Sequence, residues 1–201
     1  MLRLKATAAL VAATAFSVAA VEGWDLTSSD VRQAYFLGQR RGDQRLFEFL
    51  TSYEHRLSAP PTGPHVLSIV FSTPYHQIVE RSRRALPGYS SQQAERNYHA
   101  NPERIYVSAT VSFPIGHVAR PREPRIWNEF DMRLVQSERL IRPHQLSPEL
   151  VYSFGEDGSL VGFILRAEFS THQVGRGLAR VEVITHDGKT VSVQFDLVRL
   201  K

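Results

Sequence analysis

The chain has 201 residues, no cysteine, 24 Lys plus Arg against 20 Asp plus Glu, and a formal charge of +4. Without cysteine there is no thiol nucleophile, no thiolate metal site and no disulfide, so the core must form unaided. The near balance of charge and the lack of a dense basic stripe argue against nucleic acid as a partner.

The first residues carry Arg3 and Lys5, and the stretch from Ala6 to Val21 is uncharged. Two cations followed by a short apolar run are the layout of a secretory signal peptide, and Val18-Ala19-Ala20 places small residues for cleavage after Ala20. The expectation is a signal peptide over 1–20 and a single exported domain over 21–201. An uncleaved N-terminal anchor is the alternative, but the run is short of the about 20 strongly apolar residues a span needs. No cysteine stands near the cleavage point, which excludes a lipid-attached signal. The predicted mature chain has no membrane span and belongs in the periplasm or outside the cell. Its charge falls to +2, because Arg3 and Lys5 leave from the +4 without an acid.

The N-terminal part of the mature chain reads as helical over 28–58. Ser28 or Ser29 can cap a helix beginning at Asp30, with Val31, Ala34, Tyr35 and Gly38 on one face. Gly42-Asp43 interrupts, and Asp43 caps a second stripe of Leu46, Phe49, Leu50, Tyr53 and Leu57. Pro60, Pro61 and Pro64 then break the helix and are the best candidate for an internal boundary. A β-rich part over 65–200 follows, with helices near 74–100. His65–Phe71 is a buried strand; Thr73-Pro74 is a cap and first-turn pair for a helix with Tyr75, Ile78 and Val79 inward. Pro87-Gly88 ends that helix, and Ser90 with Gln93 opens another.

From Ile105 the period changes to two. Ile105 to Phe113 and Glu129 to Leu134 are predicted half-buried strands, joined by an extended loop around Pro121. His144–Pro148 reads as a connector. Alternating runs around Asp157-Gly158 and Asp187-Gly188 predict two hairpins, because glycine supplies the positive backbone angle of a tight turn. The whole gives about seven strands, with a helical insertion after the first. From Leu150 to Leu200 the alternation and Asp-Gly turns resemble the rhythm of immunoglobulin-like modules, without their cysteine–tryptophan core signature. The resemblance implies an antiparallel β-layer; no family or function follows from it. The fold class expected is α+β, with N-terminal helices packed on an antiparallel, sandwich-like C-terminal part.

No nucleophile elbow, zinc-binding helix motif, phosphate loop or dinucleotide fingerprint occurs. Glu129, Asp131 and Arg133 would share one face of a strand. Two carboxylates there can serve acid/base chemistry on a glycoside, or simply be the solvated face of the strand. The eight histidines show no spacing that makes a local metal pair, and no metal or cofactor is expected. Arg120, Arg122 and Arg125 can engage an anionic polymer or be a solvated loop; Arg81, Arg83 and Arg84 suit the end of a helix. Phe36 and Phe47 lie off the helical stripes, and either close on the β-layer or leave an exposed patch for a partner. The leading functional expectation is a non-catalytic exported protein that binds or scaffolds another envelope or extracellular protein or polymer. The alternative is a small hydrolase of an envelope polymer using Glu129 and Asp131.

Overall fold

A computed structural model of the chain describes residues 23–60, 63–100, 104–113, 126–153 and 159–201. The predicted signal segment, the loop around Pro121 and the Asp157-Gly158 turn lie outside the described residues.

The first helix, α1 (Ser28–Gln39), is capped by Thr27, one residue earlier than expected. Thr27 and Asp30 form a reciprocal capping box: Asp30 N donates to Thr27 Oγ1 at 3.2 Å, and Thr27 N donates to Asp30 Oδ2 at 3.1 Å. Asp43 caps α2 (Gln44–Ser52), its Oδ1 accepting from Arg45 N at 2.8 Å. The apolar stripe does not stay helical to Leu57. At Tyr53 the backbone is captured by the sheet, since Tyr53 O accepts from Phe71 N and Leu57 N donates to Leu67 O, both at 2.9 Å. A short strand, β1 (Glu54–Arg56), therefore replaces the last helical turn.

After β2 (His65–Ser72), Thr73 caps α3 (Pro74–Arg84) with Pro74 in the first turn, where its missing N–H costs nothing. Ser90 Oγ accepts from Gln93 N at 3.2 Å at the start of α4 (Ser91–Ala100). The remaining strands are β3 (Arg104–Ser112), β4 (Asp131–Gln136), β5 (Arg139–Ile141), β6 (Gln145–Tyr152), β7 (Leu160–Ser170), β8 (Leu178–Ile184) and β9 (Thr190–Asp196). They form two antiparallel sheets, one in the order β1-β2-β3-β7-β6 and the other β5-β4-β8-β9.

The described residues thus hold nine strands rather than about seven. The two additions are β1 and β5, and β6 begins earlier than expected. The segment read as a connector, His144–Pro148, pairs with β7 instead: Pro148 stands opposite Leu165. Its proline is tolerated because β6 is an edge strand, where a missing donor faces away from the ladder. The expected Asp187-Gly188 hairpin is present. Gly188 has φ +75° and its N–H donates to Thr185 O at 2.8 Å, joining β8 to β9.

The inner faces of the two sheets share one core. Ile69, Phe71, Ile105, Val107, Phe163, Leu165 and Phe169 from one sheet meet Met132, Leu134, Val181, Val183 and Phe195 from the other. The chain is therefore α+β with a sandwich-like antiparallel part. The helices also have an apolar cluster of their own. Val31, Ala34, Leu46, Tyr75, Ile78, Val79, Ala94 and Tyr98 form a separate apolar cluster in which α1, α2, α3 and α4 bury their faces against one another. Gly38 permits the close crossing of α1 on α3, since a Cβ there would run into the Val79 carbonyl oxygen and Ser82 Cβ. Phe49 packs against both clusters and joins them.

Candidate functional site

The junction of helices and sandwich is held by a cluster of ring contacts and hydrogen bonds. Tyr53 rests on the His76 ring with centroids 4.5 Å apart, and Phe49 packs on both. The Tyr53 hydroxyl donates to Lys201 O and accepts from Lys201 N, each at 2.9 Å, while Thr73 Oγ1 donates to the same carbonyl at 2.6 Å. Lys201 Nζ reaches Asp30 Oδ1 and Gln33 Oε1, both at 3.0 Å. Burial pushes the Tyr53 phenol up to about 12 and the His76 imidazole down to about 4. His76 Nδ1 is satisfied by Ser72 Oγ at 2.9 Å. Near neutral pH the pair is a neutral phenol on a neutral imidazole, with the Tyr53 hydroxyl and His76 Nδ1 committed to structural bonds. That arrangement holds two layers together and leaves neither group poised for proton transfer.

An open site lies on the helical cluster. The α1–α2 turn, the outer side of α2 and the end of α3 enclose a groove of about 520 Å³, lined by Arg41, Leu46, Phe47, Leu50 and Arg83 among others. Gly42, at φ +77°, turns the chain so that Asp43 can cap α2 beside it. Leu46 turns into the helical core while Phe47, one position on, is 65% exposed, so the groove has an apolar wall. Its rim is cationic. Arg40 is tied to Asp43 at 3.7 Å, and Arg83 and Arg84 both contact Glu80, at 3.0 and 2.7 Å. Burial would raise the Glu80 carboxyl, but these two guanidiniums outweigh it and hold the group below the usual carboxylate range. Of the lining residues, Arg41 makes no ion pair with the described residues, and Asp43 is the one acid.

The residues singled out from the sequence fall in different places. Phe36 and Phe47 are 57% and 65% exposed, so neither closes on the β-layer; the Phe36 ring packs edge-on against its neighbour Tyr35. Phe47 lines the groove and Phe36 does not. Arg120, Arg122 and Arg125 lie outside the described residues. Glu129 does not share a strand face with Asp131 and Arg133. Phe130 N donates to Trp127 O at 3.2 Å and closes a 3-10 turn over Ile126–Glu129, so the strand begins only at Asp131. Both carboxylates are exposed, Asp131 Oδ1 accepting from Met132 N at 2.8 Å, and neither lines the groove. Arg133 turns instead to Glu182, opposite it on β8, at 2.6 Å, and Arg180 takes the other carboxylate oxygen at 2.9 Å. The bonds from Arg133 and Arg180 keep Glu182 ionised.

Among the described residues no three or more His, Asp or Glu come together in a way that could hold a metal ion, and no helix is long and apolar enough to cross a membrane. Sequence reasoning missed the groove because it forms between elements. In the sequence Leu50 belongs to an apolar stripe and Arg41 stands at a helix interruption, with nothing local to join them. The signal that could have found it was Phe47 lying off the stripe beside an arginine-rich turn. In comparisons with known proteins, no family model, no curated protein and no solved structure matches the chain.

Proposed function

We propose that the chain is an exported, non-catalytic binding or scaffolding protein of the periplasm or extracellular space, and that the groove beside Phe47 is its contact surface. The single observation that carries the reading is the exposed Phe47 side chain beside Arg41, which has no ion pair with the described residues, in a groove of about 520 Å³. Exposed apolar surface rimmed by polar groups is the mark of a contact site. The cationic rim selects the occupant: a segment of another envelope or extracellular protein with an apolar side chain flanked by carboxylates. Arg41 would meet the acids, and Phe47 and Leu50 the apolar side chain. Export is supported by the cation-led apolar stretch that opens the sequence.

The test is recovery of the chain, expressed with its first twenty residues intact, from the envelope or medium fraction of its native host. The intact mass should begin at Val21. The wild-type chain should carry one stoichiometric protein partner, and Phe47→Asp and Arg41→Glu should lose it while keeping the wild-type circular dichroism and melting temperature. Retention of the partner by both variants, or turnover of an envelope polymer by the isolated chain, would overturn the reading.

A further inference from the structure

A second cleft, of about 280 Å³, opens where α3 and α4 meet the start of β3. It differs in chemistry from the groove. Ile78 and Ala94 form an apolar floor, and Arg81, Asn97, Arg104 and Tyr106 stand around it. None of the nine lining residues is an acid.

The walls are held in place by bonds of their own. Gln77 Nε2 donates to Ser72 O at 3.2 Å and to Arg104 O at 2.8 Å, which fixes the start of β3 against α3. Arg104 contacts Glu168 at 3.1 Å on the neighbouring strand and is hydrogen-bonded to the Tyr106 side chain. One guanidinium face is thus positioned from the sheet side. Arg81 comes from the helix side and makes no ion pair with the described residues, although Arg83 and Arg84 on the same helix do. Asn97 Oδ1 accepts from Gln93 Nε2 at 3.1 Å, so its amide nitrogen is the end left to donate.

Arg81 has no carboxylate partner among the described residues, Arg104 meets Glu168 through one guanidinium nitrogen, and no acid lines the cleft between them. We propose that this cleft is a binding site for a small anionic ligand about the size of one sugar or amino acid, with its oxyanion group between Arg81 and Arg104 and its apolar edge on Ile78 and Ala94. The size argues against a polypeptide segment, since about 280 Å³ is at the lower end of small-molecule clefts, roughly 300–1,000 Å³. The shared chemistry is a planar carboxylate or a phosphate, either of which a guanidinium grips with paired hydrogen bonds. The site is separate from the groove beside Phe47, and its fate does not depend on that of the proposed partner.

The test is titration of the folded chain with D-glucuronate, inorganic phosphate and neutral D-glucose, read by calorimetry and by amide chemical shifts of α3, α4 and β3. At least one of the two anions should bind at one site per chain while glucose does not. Arg81→Gln, an exposed substitution, should weaken that anion about tenfold or more, and Asn97→Asp should abolish binding by bringing a negative charge into the cleft. Phe47→Asp should leave it unchanged. Glucuronate without phosphate identifies an acidic sugar as the ligand class, and phosphate without glucuronate a phosphate ester. The proposal is overturned if neither anion binds, if glucose binds as well as glucuronate, or if Arg81→Gln binds like the wild type.

Discussion

The Tyr53 hydroxyl sits between the backbone N–H and C=O of Lys201, 2.9 Å from each, across 148 positions of sequence. Tyr53 leaves α2 and enters the sheet, and its ring packs on His76 of α3. One side chain therefore ties the end of α2, the start of α3 and the last residue of the sequence into a single junction.

Removing that hydroxyl tests the junction directly. Tyr53→Phe keeps the ring and its packing on Phe49 and His76, but leaves the Lys201 N–H without its partner; the Lys201 carbonyl retains Thr73 Oγ1. The Lys201 N–H is part-buried, so the loss stays at or below the lower end of the about 1–3 kcal/mol that a fully buried unpaired group costs. In urea unfolding the midpoint should fall with an unchanged slope. A midpoint equal to wild type would show that the Lys201 bonds contribute nothing net.

His76 gives stability an acid limb of its own. Burial lowers its folded pKa from 6.5 to about 4, while Glu80 raises it and Arg83 and Arg84 lower it further. The unfolded chain therefore binds the proton first as pH falls. The contribution of His76 is fully present above about pH 6.5 and is lost between there and pH 4, to a total on the order of 3 kcal/mol. Glu80, Glu182 and Asp30 are held below their usual range, so their contributions are present above the unfolded carboxylate pKa and are lost only as pH falls through lower values. The measurement is unfolding free energy against pH for the wild type and His76→Phe, which keeps an aromatic ring on Tyr53. The slope between pH 6.5 and 4 should flatten in the variant; an equal slope would assign the limb elsewhere.

Gly38→Ala separates helix propensity from packing. In an exposed helix the change gains about 1 kcal/mol. Here the new Cβ would meet the Val79 carbonyl and Ser82 Cβ at the crossing of α1 and α3. Overpacking of this kind costs about 1–3 kcal/mol, so the net effect should be destabilising. A rise in melting temperature would mean that the two helices separate at little cost.

Periodicity and turn chemistry made most of this fold legible. The capped starts of α2 and α3, the alternation of β3, β7, β8 and β9, and the Asp187-Gly188 turn rest on local rules that the structure obeys. What escaped was set by partners far away in sequence. Tyr53 to Leu57 continues a helical stripe, yet β2 recruits that backbone into a ladder. The β4–β5 hairpin turns at Ser137 and Glu138, at φ +48° and +63°, a left-handed pair usually supplied by Asn-Gly, so no turn signal announces it. Pro148 hid the start of β6 because nothing local says that this strand lies at an edge. For the sites, Phe47 was visible as an aromatic off its stripe. The cleft between α3, α4 and β3 was not, because Arg81 and Arg104 are brought together only by the packing of a helix pair on the start of a strand.

The junction at Tyr53 has a counterpart near the start of the described chain. Trp24 is buried, and its Nε1 donates to Val174 O at 2.7 Å across 150 positions. Each of these two long-range bonds encloses most of the sequence, and the second waits for residue 201. Such distant closures come late and slow the folding of β-rich chains, because loop entropy is lost before the contacts repay it. Bonds that form this late are absent from the folding transition state, so weakening either one should speed unfolding and leave the folding rate nearly unchanged.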